Sequence, residues 1–127
     1  MSGAPFRLGV AGLGTVGTGV VRLVAEHGAA LAAKAGRPVT VTAVSARSRG
    51  RDRGVDLSPF AWEDDPTRLA QREDVDCVVE VIGGSDGPAK ALAERALDAG
   101  KHVVTANKAL IAHHGHALAE RAEMAGV

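Results

Sequence analysis

An α/β fold, a doubly wound parallel sheet with helices on both faces, is predicted by three observations. Short apolar runs alternate with helical stretches along the whole chain. The first run, Phe6 to Ala11, breaks into Gly12-Leu13-Gly14-Thr15-Val16-Gly17 and then into a helical pattern, the order strand, Gly-x-Gly-x-x-Gly, helix. No repeat, low-complexity segment or linker interrupts the alternation.

The elements follow in order. Phe6 to Ala11 reads as a buried strand. Gly12 lets the chain turn off it, Gly14 removes a Cβ from the path of an approaching phosphate, and Gly17 lets the next helix pack closely. Thr15 to about Ala35 reads as one long helix, with Val16, Val20, Leu23, Val24 and Leu31 near helical spacing. Gly36 caps it and Pro38 bars continuation. Val39 to Ala46 is β-branched and small, a second strand. Arg47 to Ser58 is a polar loop. Asp65-Pro66 pairs an N-cap with proline at the first helical position and opens a short helix to about Arg72. Asp76 to Ile82 is a third strand, and Gly83 to Gly87 a loop. Pro88 to Ala99 is a helix closed by Gly100, and His102 to Thr105 a fourth strand. Gly115 to Ala125 is a last helix closed by Gly126. Gly126-Val127 falls where a further strand of a doubly wound sheet would begin. Residues 1–127 are therefore expected to form one Rossmann-type nucleotide-binding domain, truncated before a substrate domain.

Composition narrows the classes. The 127 residues suffice for one buried core. Fifteen basic and fifteen acidic residues balance to zero formal charge, which argues against a polyanion surface and so against nucleic acid as a partner. Aromatic residues are 2% of the chain, too few for base-stacking platforms. No apolar run approaches the ~20 residues of a membrane span, and Met1 to Pro5 lacks the pattern of a signal peptide. The single Cys77 lies in an apolar run and suits a core position better than a reactive one. These features suggest a cytoplasmic protein without membrane attachment.

The end of the second strand bears on which dinucleotide is bound. A carboxylate there is the usual partner of the NAD ribose 2′-hydroxyl. No Asp or Glu lies between Glu26 and Asp52, and the strand ends at Ser45-Ala46-Arg47-Ser48-Arg49. Guanidinium and hydroxyl groups match a 2′-phosphate. NADP is thus favoured over NAD, with Arg47 the first candidate and Ser48 and Arg49 next. Arg51 and Arg53 read as solvating the loop.

Two further segments complete the pattern: Glu80-Val81-Ile82-Gly83-Gly84 after the third strand, and Lys101 to Leu110 (KHVVTANKAL) around the fourth. Together with the glycine loop they resemble the NAD(P)-binding domain of homoserine dehydrogenase, over essentially the whole chain. That family reversibly reduces aspartate 4-semialdehyde to homoserine, on the route to threonine and methionine. The resemblance implies that Gly12, Leu13, Gly14, Thr15, Val16 and Gly17 form the phosphate loop. It implies that Gly83 and Gly84 border a cofactor ribose and that Thr105 lies near the nicotinamide. Lys108 corresponds to the family lysine at the nicotinamide and substrate end, where an ammonium could orient substrate or deliver a proton. The family's second lysine and acidic substrate-binding residues would lie beyond Val127, so this chain alone is expected to bind cofactor without turnover. The parent is expected to be a homodimer formed mainly outside this domain. Alternatives are the nucleotide domain of an aspartate dehydrogenase-like enzyme, a stand-alone NAD(P)-binding regulatory module, or a remnant that binds nothing.

Other clusters are weaker. His113-His114-Gly115-His116 lacks carboxylate or thiolate ligands at suitable spacing, and no metal is expected. Glu63-Asp64-Asp65 suits a helix start. Glu80, a carboxylate inside a buried strand, must be paired or lie near the strand's open end, either approaching cofactor or holding a loop N–H.

Overall fold

The computed structural model describes residues 3–127. Five strands, each parallel to its neighbours, form one sheet. They are β1 (Phe6–Ala11), β2 (Val39–Ser45), β3 (Ala61–Glu63), β4 (Cys77–Glu80) and β5 (His102–Thr105), in the spatial order β3-β2-β1-β4-β5. The helices are α1 (Thr15–Glu26), α2 (Gly28–Ala35), α3 (Pro88–Asp98) and α4 (Lys108–Ala125), with a 3₁₀ helix at Pro66–Gln71. The chain starts at the middle of the sheet, winds outward through β2 and β3, then returns past β1 to wind the other way. This is the doubly wound Rossmann-like arrangement.

Alternation along each strand sorts side chains onto two faces. Leu8 and Val10 of β1 and Cys77 and Val79 of β4 pack with Val21 under α1. Ala11 of β1, Ala43 of β2 and Val78 of β4 pack with Leu69, Val75, Leu92 and Ala96 under the 3₁₀ helix and α3. A third cluster, Ala93, Leu97, Leu110 and Leu118, joins α3 to α4. Leu69, Leu92 and Leu110 are fully buried, and each contributes roughly 1.5–3 kcal/mol of transfer free energy. A register shift against β1 lets Val41 and Val44 of β2 share one face. Thr42 lies within that irregularity, and its hydroxyl donates to the Asp74 carbonyl at 2.6 Å. Burial pushes the Cys77 thiol up to about 11, in keeping with an inert core residue.

The differences from the sequence expectation have physical reasons. The long helix is two, broken at His27, which ends α1 and starts α2 at φ −119° and ψ 27°. The apolar period continues across the break and so conceals it. β3 lies inside a stretch that offers only Ala-Trp-Glu, and pairing with the end of β2 makes it a strand. The last helix begins at Lys108 rather than Gly115, because the Asn107 side chain caps it by accepting from the Leu110 N–H at 3.0 Å. The third strand stops at Glu80, short of Ile82. The Asp65 cap is present, accepting from the Thr67 N–H at 3.0 Å, but the helix it opens is 3₁₀. No helix among the described residues is long and apolar enough to cross a membrane.

The amino-terminal edge of the sheet is clamped by Arg7 and Asp76. Asp76 accepts from Arg7 Nε at 3.0 Å, Nη2 at 3.0 Å and the backbone N–H at 2.9 Å. These bonds hold the Asp76 carboxyl below its ordinary range. Its folded-state pKa is lower than the unfolded value. The stabilisation is therefore present above the unfolded pKa of roughly 3.9 and lost as pH falls through the folded value. Asp76→Asn is expected to cost about 1 kcal/mol at neutral pH, kept modest by solvent screening. In urea unfolding, the gap to wild type should close as the medium is taken below the folded-state pKa.

Candidate functional site

The winding direction reverses between β1 and β4. The chain leaves β1 toward α1 on one face and leaves β4 toward α3 on the other, so the two exits diverge and open a crevice at the strands' carboxyl ends. A cleft of about 500 Å³ lies there, lined by Gly12, Leu13 and Gly14, by Ser45, Ala46 and Arg47, by Arg51 and Arg53, and by Val81 and Ile82, with Asp64, Pro66 and Pro88.

Two of the three glycines meet steric needs of the fold, and the third does not. Gly12 has φ +101°, and a Cβ there would sit 2.8 Å from the Val81 carbonyl oxygen. A Cβ on Gly17 would sit 1.8 Å from the Gly12 carbonyl oxygen, so only glycine lets α1 pack on the end of β1. A Cβ on Gly14 would meet nothing within 4 Å. Its absence is not needed by the fold and leaves an open approach to the start of α1. No side chain caps that helix, and no acidic residue lies in its first turn. Its leading N–H groups and dipole are available to an anion. The Ser45 hydroxyl, on the cleft wall, is buried without a hydrogen-bond partner among the described residues. An uncapped helix start, a clear approach and an orphan hydroxyl fit a pyrophosphate-bearing nucleotide.

The loop after β2 is more ordered than its sequence suggests. Arg53 donates to the carbonyls of Arg47, Ser48 and Arg51. Its guanidinium lies 5.6 Å from the centroid of the Trp62 ring, and that of Arg49 lies 5.7 Å from it. Trp62 Nε1 donates to Asp64 Oδ1 at 2.9 Å. Arg53 is thus the loop's brace rather than a solvating residue, and both it and Arg51 reach the cleft wall. Arg47 lines the cleft. Ser48, at φ +55°, and Arg49 do not line it.

Gly83, Gly84, Thr105 and Lys108 form a second group beside the cleft, at the exits of β4 and β5. Gly83 and Gly84 are exposed, at φ +95° and +85°. Lys108 is the first residue of α4, exposed and without an ion pair among the described residues. The Thr105 hydroxyl is engaged internally, donating to Glu80 Oε1 at 2.6 Å. Glu80 Oε2 accepts from the N–H groups of Ile82 at 2.8 Å and Gly83 at 3.1 Å. The buried carboxylate therefore holds loop N–H groups, one of the two roles the sequence leaves open. The capping role of Asn107 is what sequence reasoning misses, although an Asn just before a helical run is a cap signal.

The remaining polar clusters have structural partners. His114 Nε2 lies 3.0 Å from Asp86 Oδ1, and His116 Nε2 lies 2.9 Å from Glu120 Oε1, so the two histidines serve different contacts. Glu63 and Asp74 pair with Arg72 at 2.7 Å and 2.8 Å. A second hollow of about 300 Å³ lies at the amino-terminal edge of the sheet. Its cations are already spent on carbonyls, Arg37 on Ala4 and Pro5, Lys101 on Arg72 and Val75.

The family described as the NAD-binding domain of homoserine dehydrogenase matches residues 12–127. The homoserine dehydrogenase of Corynebacterium glutamicum is 44% identical over 125 residues, 98% of this chain and 28% of the relative. That of Mycobacterium tuberculosis is 44% identical over 97% of this chain and 27% of its own length. The crystal structure of a homoserine dehydrogenase from Thiobacillus denitrificans superimposes with a TM-score of 0.88 at 33% identity, covering 98% of this chain and 28% of that one. The chain thus spans a little over a quarter of the length of these relatives. It belongs to the family of homoserine dehydrogenase NAD-binding domains.

Proposed function

We propose that residues 1–127 are the NADP-binding domain of a homoserine dehydrogenase, and that the whole enzyme reversibly reduces L-aspartate 4-semialdehyde to L-homoserine. The observation that carries the cofactor choice is the end of β2. Arg47 and Arg51 line the cleft where a carboxylate would select the unphosphorylated ribose. Gly14, Thr15 and Val16 at the start of α1 would hold the pyrophosphate, and Arg47 would hold the 2′-phosphate.

The bound nicotinamide supplies the hydride for the aldehyde carbon. The chain's own residues do the rest of what this domain contributes. The glycine loop fixes the cofactor's phosphates, and the exits of β4 and β5 hold its nicotinamide half. Lys108, at the start of α4, directs an ammonium toward the carbonyl oxygen, orienting the substrate and delivering a proton as the alkoxide forms. The enzyme works in the cytoplasm as a homodimer on small-molecule substrates.

In a full-length enzyme carrying this domain, Lys108→Ala is expected to lower kcat by roughly 10²–10⁴-fold while the Kd for NADPH moves little. Semialdehyde-dependent NADPH oxidation and a cofactor titration measure the two. An unchanged kcat removes Lys108 from the mechanism. Homoserine-dependent NADP reduction by residues 1–127 alone would overturn the assignment of substrate binding to a separate domain.

A further inference from the structure

Glu80 is fully buried in β4 and makes no ion pair among the described residues. Burying a carboxylate costs several kcal/mol unless donors satisfy it, and the sheet has no need of one: a valine or isoleucine would extend the apolar core. What Glu80 does is join two loops. Oε2 accepts from Ile82 and Gly83, just after β4, and Oε1 accepts from the Thr105 hydroxyl at the end of β5. The Thr105 oxygen in turn accepts from the Asn107 N–H at 2.9 Å. Asn107 caps α4 with its Oδ1 and donates its Nδ2 to the Gly84 carbonyl. The hydrogen bonds close a ring through residues 80, 82, 83, 84, 107 and 105, and back to 80.

The ring acts where the backbone is least able to hold itself. Gly83 and Gly84 both occupy the left-handed region, and glycine is the residue with most freedom to lose. The next residue after Asn107 is Lys108. A dinucleotide bound across the reversal point, with its adenosine phosphate at Arg47 and its pyrophosphate at Gly14, would extend its other half over the exits of β4 and β5.

We propose, resting on the dinucleotide reading above, that Glu80 is a positioning residue for the nicotinamide riboside half of the cofactor. Through Thr105 and Asn107 it fixes the Gly83-Gly84 loop and the Lys108 helix start against each other. It touches neither cofactor nor substrate. Its removal loosens one half of the site and leaves the adenosine half intact.

The test is calorimetric titration of the chain and its variants with NADPH and with adenosine 2′,5′-bisphosphate, which lacks the nicotinamide mononucleotide half. Glu80→Gln keeps the shape and one acceptor but reverses polarity toward Thr105. Thr105→Val breaks the ring at the hydroxyl, and Thr105→Ser restores it. NADPH binding should weaken roughly 10-fold in E80Q and T105V, with the bisphosphate within about two-fold of wild type and T105S close to wild type for both ligands. Equal weakening of both ligands, undiminished NADPH affinity in E80Q and T105V, or a T105S variant as weak as T105V would each overturn the proposal. A wild-type chain that binds neither ligand overturns the dinucleotide reading itself, and this inference with it.

Discussion

Gly17→Ala is expected to damage both fold and binding, and Gly14→Ala to damage binding alone. A Cβ added at Gly17 would stand 1.8 Å from a backbone oxygen, that of Gly12. No rotamer relieves such a contact, so α1 must lift off the end of β1. Overpacking of this kind costs about 3 kcal/mol or more, a fall in Tm on the order of 10 °C in a domain of this size. A Cβ added at Gly14 would meet no protein atom within 4 Å, and Gly14 already has φ −79° and ψ −155°, which alanine adopts. The structural cost of that substitution is the loss of a favoured N-cap residue, about 1 kcal/mol at most. The added methyl group instead fills the approach to the helix start, and NADPH affinity should fall roughly 100-fold through lost phosphate hydrogen bonds. Thermal melting and calorimetric titration separate the two effects. A Gly14→Ala variant that binds NADPH like wild type would show that no phosphate approaches this turn.

Arg47→Ala is expected to discriminate between the two cofactors. A charged hydrogen bond to a phosphate is worth about 1.5–3 kcal/mol, or roughly 10- to 100-fold in Kd. NADPH should lose that factor, and NADH, which has no 2′-phosphate, should change little. Arg47→Lys should recover only part of the affinity, since a lysine cannot make the paired contact of a guanidinium. Arg53→Ala should act differently. Arg53 holds three carbonyls of the loop, so its loss frees the segment that carries Arg47. Equal weakening of NADPH and NADH by Arg47→Ala would place that side chain away from the 2′-phosphate.

The parts of the fold legible in the sequence are those written in local patterns. β1, the glycine turn, β2, β4 and β5 announce themselves through short apolar runs bounded by glycine and proline. The turn from β1 into α1 is legible because two steric needs, at Gly12 and Gly17, fall on glycines at fixed spacing. β3 is not legible, since three residues of mixed type become a strand only by pairing with β2. The break at His27 hides because Leu31 falls seven residues after Val24, in step with the helical period. The start of α4 reads too late because Gly115 is a stronger local signal than the Asn107 cap. At the candidate site, the presence of Arg47 on the cleft wall is legible from its position just after β2. The roles of Glu80, Thr105 and Asn107 cannot, because Thr105 and Glu80 meet from positions 25 residues apart on neighbouring strands. Arg53 reads as solvating for the same reason: its carbonyl partners and Trp62 are brought to it by the fold of the loop.

The most direct measurement is a calorimetric titration of the wild-type chain with NADPH and, separately, NADH. Saturable binding is expected, with NADPH tighter by about 10-fold or more, the weight of one phosphate–guanidinium contact. No saturation by either dinucleotide into the millimolar range, or NADH bound as tightly as NADPH, would contradict the assignment of this cleft to NADP.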